Sequence, residues 1–131
     1  MARVLLIDDS ATIRQIVTTT LTREGYETQA FADGIAAMRW LAEPGSYLPD
    51  LLLVDLGLPK MDGYEVLRRI KGKPLLAQTR CIILSRRLGV MDKIKGRLAG
   101  ASLYLPKPFT VQALLVAVRA SLIGEQQGTV S

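Results

Sequence analysis

The chain of 131 residues contains no histidine and only one cysteine. Without histidine it cannot use a Ser–His–Asp or Cys–His catalytic arrangement, nor bind a metal through imidazole. The single cysteine, Cys81, cannot form an internal disulfide, and its place in an apolar run predicts an inert, buried thiol. Any chemistry in this chain must therefore use carboxylates, hydroxyls, lysine and metal ions bound through oxygen.

Long apolar segments and a strong charge imbalance are also missing. No apolar run approaches the ~20 residues that span a bilayer, and a strand pattern begins almost at the N-terminus, so we expect no membrane insertion and no signal peptide. A cytoplasmic location is the default expectation. The net charge of +5 is mild, so it predicts no direct nucleic-acid binding, although it fits either solubility or an acidic partner. A hydrophobic content of 49% suits one domain.

Four short apolar runs are present, and each ends at a polar residue. The runs and the residues that end them are Val4–Ile7 with Asp8 and Asp9, Leu51–Val54 with Asp55, Cys81–Leu84 with Ser85, and Leu103–Pro106 with Lys107. Continuous apolar runs of this length are typical of strands buried on both faces of a parallel sheet. In such sheets ligands bind beyond the carboxyl ends of the strands, so we expect these polar side chains to meet in one pocket.

Helical repeats of apolar residues lie between these runs, with Asp33 and Asp62 as predicted N-caps of the second and third helices. A weaker strand over Glu27–Phe31 completes an alternation of five strands and five helices, which predicts an α/β fold with helices on both faces of the sheet. The fifth helix is predicted to end at Gly124. The repeating positions are Ile13, Ile16, Val17 and Leu21; Ile35, Met38 and Leu41; Val66, Leu67 and Ile70; Val90, Ile94 and Leu98; and Val111, Leu114, Leu115, Val118 and Leu122.

The predicted pocket has the chemistry of a phosphoryl acceptor. Like charges ~4 Å apart at an effective dielectric near 20 repel by about 4 kcal/mol, so crowded carboxylates favour a bound cation. Oxygen ligands select Mg²⁺ or Mn²⁺ over zinc. A carboxylate can attack phosphorus, while a metal, a lysine and a hydroxyl balance the charge of the phosphoryl oxygens. The residues that supply this set are Asp8, Asp9, Asp55, Ser85 and Lys107.

Four motifs in order resemble the receiver domain of two-component response regulators. They are Leu6–Ser10, Pro49–Asp55, Leu58–Gly63 and Lys107–Phe109. The resemblance covers residues 1–123 and implies a flavodoxin-like, doubly wound five-stranded parallel sheet in the order 2-1-3-4-5. Residues 124–131 are then a polar tail or the stub of a linker.

The resemblance also implies a role for each site residue. Asp55 corresponds to the phosphorylated aspartate, Ser85 to the switch hydroxyl and Lys107 to the lysine that binds a phosphoryl oxygen. The metal ligands are Asp9 directly, Asp8 directly or through water, Asp55, and the backbone carbonyl of Gly57. The Lys107–Pro108 bond is usually cis in this family. Tyr104 corresponds to an aromatic switch residue, with a purely packing role as the alternative.

The residue after the switch hydroxyl departs from the family pattern. Arg86 stands where a small residue is usual, so we expect it either to act as a gate that slows the entry of water or phosphodonor, or to pair with a carboxylate. A basic patch follows, comprising Arg86, Arg87, Lys93, Lys95 and Arg97 against Asp92, which is either a solvated helix face or a docking surface for an acidic partner. The stretch over residues 84–97 is similar to receivers of twitching-motility and phototaxis pathways that act on type IV pili.

Three classes of function fit a pocket of this kind. The first is a signalling switch that takes a phosphoryl group from a histidine kinase or phosphotransfer protein and changes a partner face on the fourth helix, fifth strand and fifth helix. The second is a phosphatase of the haloacid dehalogenase type, but such enzymes carry a second aspartate where Gly57 stands. The third is a phosphorylation-independent scaffold or a receiver fragment of a larger regulator. We expect the switch, which is not an enzyme beyond its own phosphorylation and dephosphorylation.

Overall fold

The computed structural model describes residues 2–58, 61–86 and 89–130, and for Val90 and residues 124–130 it describes the backbone only. Strands and helices alternate along these ranges, as the sequence predicts. In chain order they are β1 Arg3–Ile7, α1 Ala11–Arg23, β2 Glu27–Phe31, α2 Gly34–Ala42, β3 Leu51–Asp55, α3 Gly63–Lys71, a single 3₁₀ turn Pro74–Leu76, β4 Arg80–Ser85, α4 Val90–Ala99, β5 Leu103–Pro106 and α5 Val111–Val130.

The five strands form one parallel sheet in the order β2-β1-β3-β4-β5. This order confirms the predicted flavodoxin-like fold. The apolar runs are continuous because both faces of the sheet are covered: every residue of β3 is buried, between α2 and α3 on one face and α1 and α5 on the other. The strand order reverses between β1 and β3, and ligands of such sheets bind beside that point.

The strand register places the predicted site residues at the same edge of the sheet. Ile7 pairs with Val54, so Asp8 and Asp55 follow side by side on neighbouring strands. Ser85 pairs with Pro106, the residue before Lys107. Sheet pairing alone therefore brings these four chemical groups to one end of the molecule.

Aspartates begin two of the helices, as the sequence predicts. Asp33 Oδ1 accepts the Ala36 N–H at 2.8 Å, and Asp62 Oδ1 accepts the Glu65 N–H at 2.9 Å. Each carboxylate satisfies a backbone donor that the first helical turn leaves unpaired. Asp62 is thus a structural cap. Two other residues of its motif, Pro59 and Lys60, lie outside the described residues.

One expectation about the helices is wrong. Helix α5 does not end at Gly124 but continues to Val130, because an interior glycine costs a helix only about 1 kcal/mol relative to alanine and does not break it. In α4 the predicted helix is present, and two of the residues that mark it, Ile94 and Leu98, are 46% and 83% exposed. No helix of the described residues is both long and apolar enough to cross a bilayer.

Candidate functional site

Three carboxylates meet at the carboxyl ends of β1 and β3. One oxygen from each of Asp8, Asp9 and Asp55 lies within 4.8 Å of the others. Asp8 is fully buried, Asp55 is nearly so, and Asp9 is exposed. This arrangement combines strong mutual repulsion with an open side through which a ligand can enter.

Lys107 supplies a positive charge within this acidic cluster. Its Nζ lies 2.6 Å from Asp8 Oδ2 and 3.4 Å from Asp55 Oδ2. The N–H of Lys107 donates to the Ser85 carbonyl at 2.9 Å, which fixes the lysine backbone. The Lys107–Pro108 peptide bond is cis. One ammonium group therefore serves both buried carboxylates.

Asp8 is held by further contacts that the sequence did not reveal. Its Oδ1 accepts the Ser10 N–H at 2.9 Å, and its backbone carbonyl accepts a hydrogen bond from Arg14 Nη1 at 2.8 Å. The Asp8 N–H donates to the Phe31 carbonyl at 3.0 Å. Arg14 belongs to no motif quoted above, and only its position near the start of the first helix could have suggested that it reaches back to the strand end. These bonds fix the orientation of Asp8.

Burial raises the pKa of the Asp55 carboxyl above its ordinary value of 3.8, and the nearby charge of Asp8 adds to the increase. The Gly57 N–H, 3.1 Å from Asp55 Oδ1, and the Lys107 ammonium act in the opposite direction. The net effect makes Asp55 a more basic carboxylate than a free aspartate.

A cavity of about 660 Å³ lies above the acidic cluster and opens to solvent. The buried residue Ser85 and the exposed residue Arg86 form part of its wall, beside Asp9, Asp55 and Lys107. The remaining lining residues are Ser10, Ile13, Ile16, Leu56, Gly57, Pro108 and Phe109. All predicted site residues except Asp8, which lies buried beneath, and Tyr104 therefore line one cavity.

Tyr104 lies outside this cavity. Its ring is half-buried against the core layer on the α3 side, and its hydroxyl donates to the Lys93 carbonyl in α4. Tyr104 therefore connects β5, to which it belongs, with α4. The other predicted site residues lie together at the acidic cluster and its cavity, away from Tyr104. Arg87, the second arginine of the predicted basic patch, lies outside the described residues.

The donor set of the cluster fits a divalent cation bound through oxygen. Three carboxylate oxygens converge, and the described residues contain one cysteine, Cys81, which is buried in β4. Burial raises the pKa of the Cys81 thiol to about 12, so it stays protonated near neutral pH, as expected of an inert packing residue. Hard oxygen ligands favour a metal such as Mg²⁺ or Mn²⁺.

Known proteins are similar to this chain in both sequence and architecture. The sequence model of the family described as "Response regulator receiver domain" matches residues 4–119. Protein PilG of Pseudomonas aeruginosa is 37% identical over 118 residues, which cover 90% of this chain and 85% of PilG. The DNA-binding dual master transcriptional regulator RpaA of Synechocystis is 38% identical over 93% of this chain, which spans only 49% of RpaA. The crystallised chemotaxis protein CheY4 of Vibrio cholerae has a TM-score of 0.87 and 32% identity, over 93% of this chain and 99% of CheY4.

Proposed function

Because the chain belongs to the response regulator receiver domain family and is a phosphorylation-activated signalling switch, we propose that Asp55 is its phosphoacceptor. Receiver domains are signalling proteins that take phosphoryl groups from histidine kinases or phosphotransfer proteins. The proposal rests on the position of Asp55. This residue ends the central strand, its Oδ2 lies 3.4 Å from Lys107 Nζ, and it lines the cavity.

The phosphoryl transfer is a direct displacement at phosphorus. A carboxylate oxygen of Asp55 forms the new bond to phosphorus, and the bond to the donor breaks, with its electron pair leaving on the histidine nitrogen of the donor. The Lys107 ammonium contacts both Asp8 and Asp55, and from this position it can also bind an oxygen of the incoming phosphoryl group. Hydrolysis restores free Asp55: a water oxygen bonds to phosphorus and loses a proton to solvent, while the bond from Asp55 to phosphorus breaks with its electron pair left on the carboxylate, and inorganic phosphate is released. The protein thus acts only on its own phosphorylation state.

We assign the metal ligands to Asp8, Asp9, Asp55 and the backbone carbonyl of Gly57, with Mg²⁺ as the expected ion and Mn²⁺ as a substitute. The converging carboxylates support this assignment. When bound, the ion neutralises negative charge on the phosphoryl oxygens. Lys107 also offsets the charge of Asp8, with its Nζ 2.6 Å from Asp8 Oδ2.

The output of the switch is proposed to involve Ser85, Tyr104 and the face formed by α4, β5 and α5. Ser85 is the hydroxyl on the cavity wall, and Tyr104 contacts the first half of α4. The exposed apolar residues of α4 lie on one side of that helix and suit a protein partner. Cations beside them favour an acidic partner. The apolar residues are Met91, Ile94 and Leu98, and the cations are Lys93, Lys95 and Arg97.

Intact mass spectrometry tests the phosphoacceptor proposal. After incubation with acetyl phosphate and Mg²⁺, the wild-type chain should gain one phosphoryl group, while Asp55→Asn should gain none. Omitting Mg²⁺ should abolish the gain in the wild type. A wild type that never gains mass, or an Asp55→Asn variant that gains as much, would refute the proposal.

A separate experiment tests Arg86 as the gate. Its side chain is exposed on the cavity wall, so Arg86→Ala should widen the entrance and change the rate at which the phosphorylated protein loses its phosphoryl group. We expect faster loss, because water gains easier access. Lys95→Ala, an exposed cation on α4 away from the cavity wall, is the control. Equal rates for Arg86→Ala and wild type would place the barrier elsewhere.

A further inference from the structure

A chain of contacts joins the backbone of Asp55 to α4 without passing through Ser85. It begins at Gly63, the first residue of α3. A Cβ atom at Gly63 would lie 2.4 Å from the Asp55 carbonyl oxygen and 2.9 Å from Leu56 Cα, and the Gly63 N–H donates to the Leu56 carbonyl at 3.3 Å. The start of α3 is therefore pressed against the backbone that carries Asp55.

The next residue, Tyr64, reaches from α3 to α4. Its hydroxyl oxygen lies 3.0 Å from Asp92 Oδ1 and 3.1 Å from the Asp92 carbonyl oxygen, so its one proton is shared between these two acceptors. The other carboxylate oxygen of Asp92 accepts the N–H of Gly89, the N-cap of α4, at 3.3 Å. One tyrosine hydroxyl thus contacts the carboxylate that organises the first turn of α4.

Few of the described side chains of α4 are buried. Among them only Gly96 and Ala99 are buried, and Ile94 and Leu98 face solvent. Helices with few buried apolar contacts move or open at low free-energy cost. The hydroxyls of Tyr64 and Tyr104 bind consecutive residues, Asp92 and Lys93, in the first half of this helix.

We propose that Tyr64 is a positioning residue that couples Asp55 to α4: phosphorylation of Asp55 shifts α4, and the bond from Tyr64 to Asp92 holds the helix in the position described here and opposes that shift. The proposal rests on the phosphoacceptor role of Asp55. A bond present in only one of two states favours that state, so removing it lowers the cost of reaching the other. Net contributions of single hydrogen bonds correspond to about two- to tenfold in such an equilibrium.

The test compares Tyr64→Phe with the wild type, using Mg²⁺ and beryllofluoride, a mimic of the phosphoryl group. Phenylalanine keeps the packed ring and removes only the hydroxyl. We expect the concentration of beryllofluoride at half-saturation to fall by about two- to tenfold. Without beryllofluoride, the backbone amide resonances of α4 should already shift toward the positions they have in the saturated wild type. Tyr26→Phe, a half-buried tyrosine on the α1 side of the sheet, should leave both readouts unchanged.

Asp92→Ala gives a second variant: it removes the carboxylate partner of Tyr64 and the cap on the Gly89 N–H, but leaves the backbone carbonyl as an acceptor for the Tyr64 hydroxyl. It should move both readouts in the same direction as Tyr64→Phe. The double variant should change half-saturation by less than the product of the two single changes, because both substitutions act on the contact between Tyr64 and the Asp92 carboxylate. If the wild type binds beryllofluoride and Tyr64→Phe matches it, the coupling is refuted while the phosphoacceptor role stands. Shifts of α4 resonances away from the saturated positions would also refute the coupling. A wild type that does not bind beryllofluoride would overturn both.

Discussion

At the scale of single residues, the Lys107 ammonium offsets the repulsion between the buried carboxylates of the acidic cluster. Asp8 is fully buried and its nearest cation is the Lys107 ammonium at 2.6 Å. Removing one partner of a buried ion pair costs about 3 kcal/mol, because the remaining charge is left without compensation. Lys107→Ala should therefore lower the free energy of unfolding by about 3 kcal/mol in the presence of a metal chelator, as measured by urea denaturation.

The control for this prediction is Lys95→Ala, which removes an exposed lysine. It should change stability by no more than about 0.5 kcal/mol. Adding Asp55→Asn to Lys107→Ala should recover part of the loss, since one of the two carboxylates near the lysine is then neutral. An unfolding curve of Lys107→Ala that overlays the wild type would show that the ion pair does not stabilise the fold.

Asp55 gives a prediction with a defined dependence on pH. Its pKa is raised in the folded protein, so the folded state favours the protonated form, and ionisation destabilises the fold. The contribution of Asp55 to stability is therefore lost as pH rises from the ordinary value of 3.8 through the raised pKa of the folded state. In metal-free buffer, Asp55→Asn should melt higher than the wild type near neutral pH.

The difference between the two melting temperatures should shrink as pH falls below 3.8, where Asp55 is protonated in both the folded and the unfolded state. Melting curves recorded from acidic to neutral pH check this trend. A difference that is constant with pH would assign the stabilisation to the asparagine itself and not to the lost charge.

The sequence predicted which residues gather at the site better than it predicted what holds them. Each of Asp8, Asp55 and Lys107 ends an apolar run, and strand pairing alone brings such residues together. The bond from Arg14 to the Asp8 carbonyl and the bond from Tyr64 to Asp92 had no comparable signal. Both arise from side-chain reach across elements, which residue type and spacing do not specify.

At the scale of elements, α4 shows that apolar spacing predicts a helix but not whether its apolar face is buried. The spacing of Ile94 and Leu98 correctly predicts a helix, but apolar residues have the same spacing on a face that packs on the core and on a face that binds a partner. Here small residues pack on the sheet instead: a Cβ atom at Gly96 would lie 2.6 Å from Ile83 Cδ1 and 2.9 Å from Tyr104 Cε1. Close approach of α4 to the sheet therefore requires glycine at this position.

Two alanine substitutions in α4 separate helix propensity from packing. Gly96→Ala gains about 1 kcal/mol of helix propensity but overpacks a closed contact, which typically costs 1–3 kcal/mol and here meets a buried isoleucine and a rigid ring. We expect a net loss of about 1 kcal/mol in thermal or urea unfolding. Leu98→Ala, two positions further along, is 83% exposed and should stay within about 0.5 kcal/mol of the wild type.

A stabilised Gly96→Ala variant would mean that α4 moves away from the sheet at no cost. In that case the helix would be held even more loosely than its few buried contacts indicate.

At the scale of the whole molecule, the parallel sheet and its reversal of strand order create one charged edge. Binding a cation there should stabilise the native state, since an ion that binds only the folded protein adds about 2.7 kcal/mol when its concentration is 100-fold above Kd. Millimolar Mg²⁺ should therefore raise the melting temperature of the wild type. Asp9→Asn should reduce the increase by removing a proposed ligand.

Asp62→Asn is the matched control for the metal experiment. It also neutralises one aspartate, but Asp62 is a helix cap outside the cluster, and asparagine caps helices equally well. Its increase with Mg²⁺ should equal that of the wild type. A melting temperature insensitive to Mg²⁺ in the wild type would count against the metal site.

The central claim is that phosphoryl transfer occurs on Asp55, and chemical mapping of the modified residue tests it most directly. Borohydride reduces an aspartyl phosphate to homoserine, so the wild type should be treated with acetyl phosphate and Mg²⁺, reduced, digested and sequenced by mass spectrometry. The account predicts homoserine at position 55 and aspartate retained at positions 8 and 9. Homoserine at position 8 or 9, or none at position 55 in a sample that has gained a phosphoryl group, would contradict it.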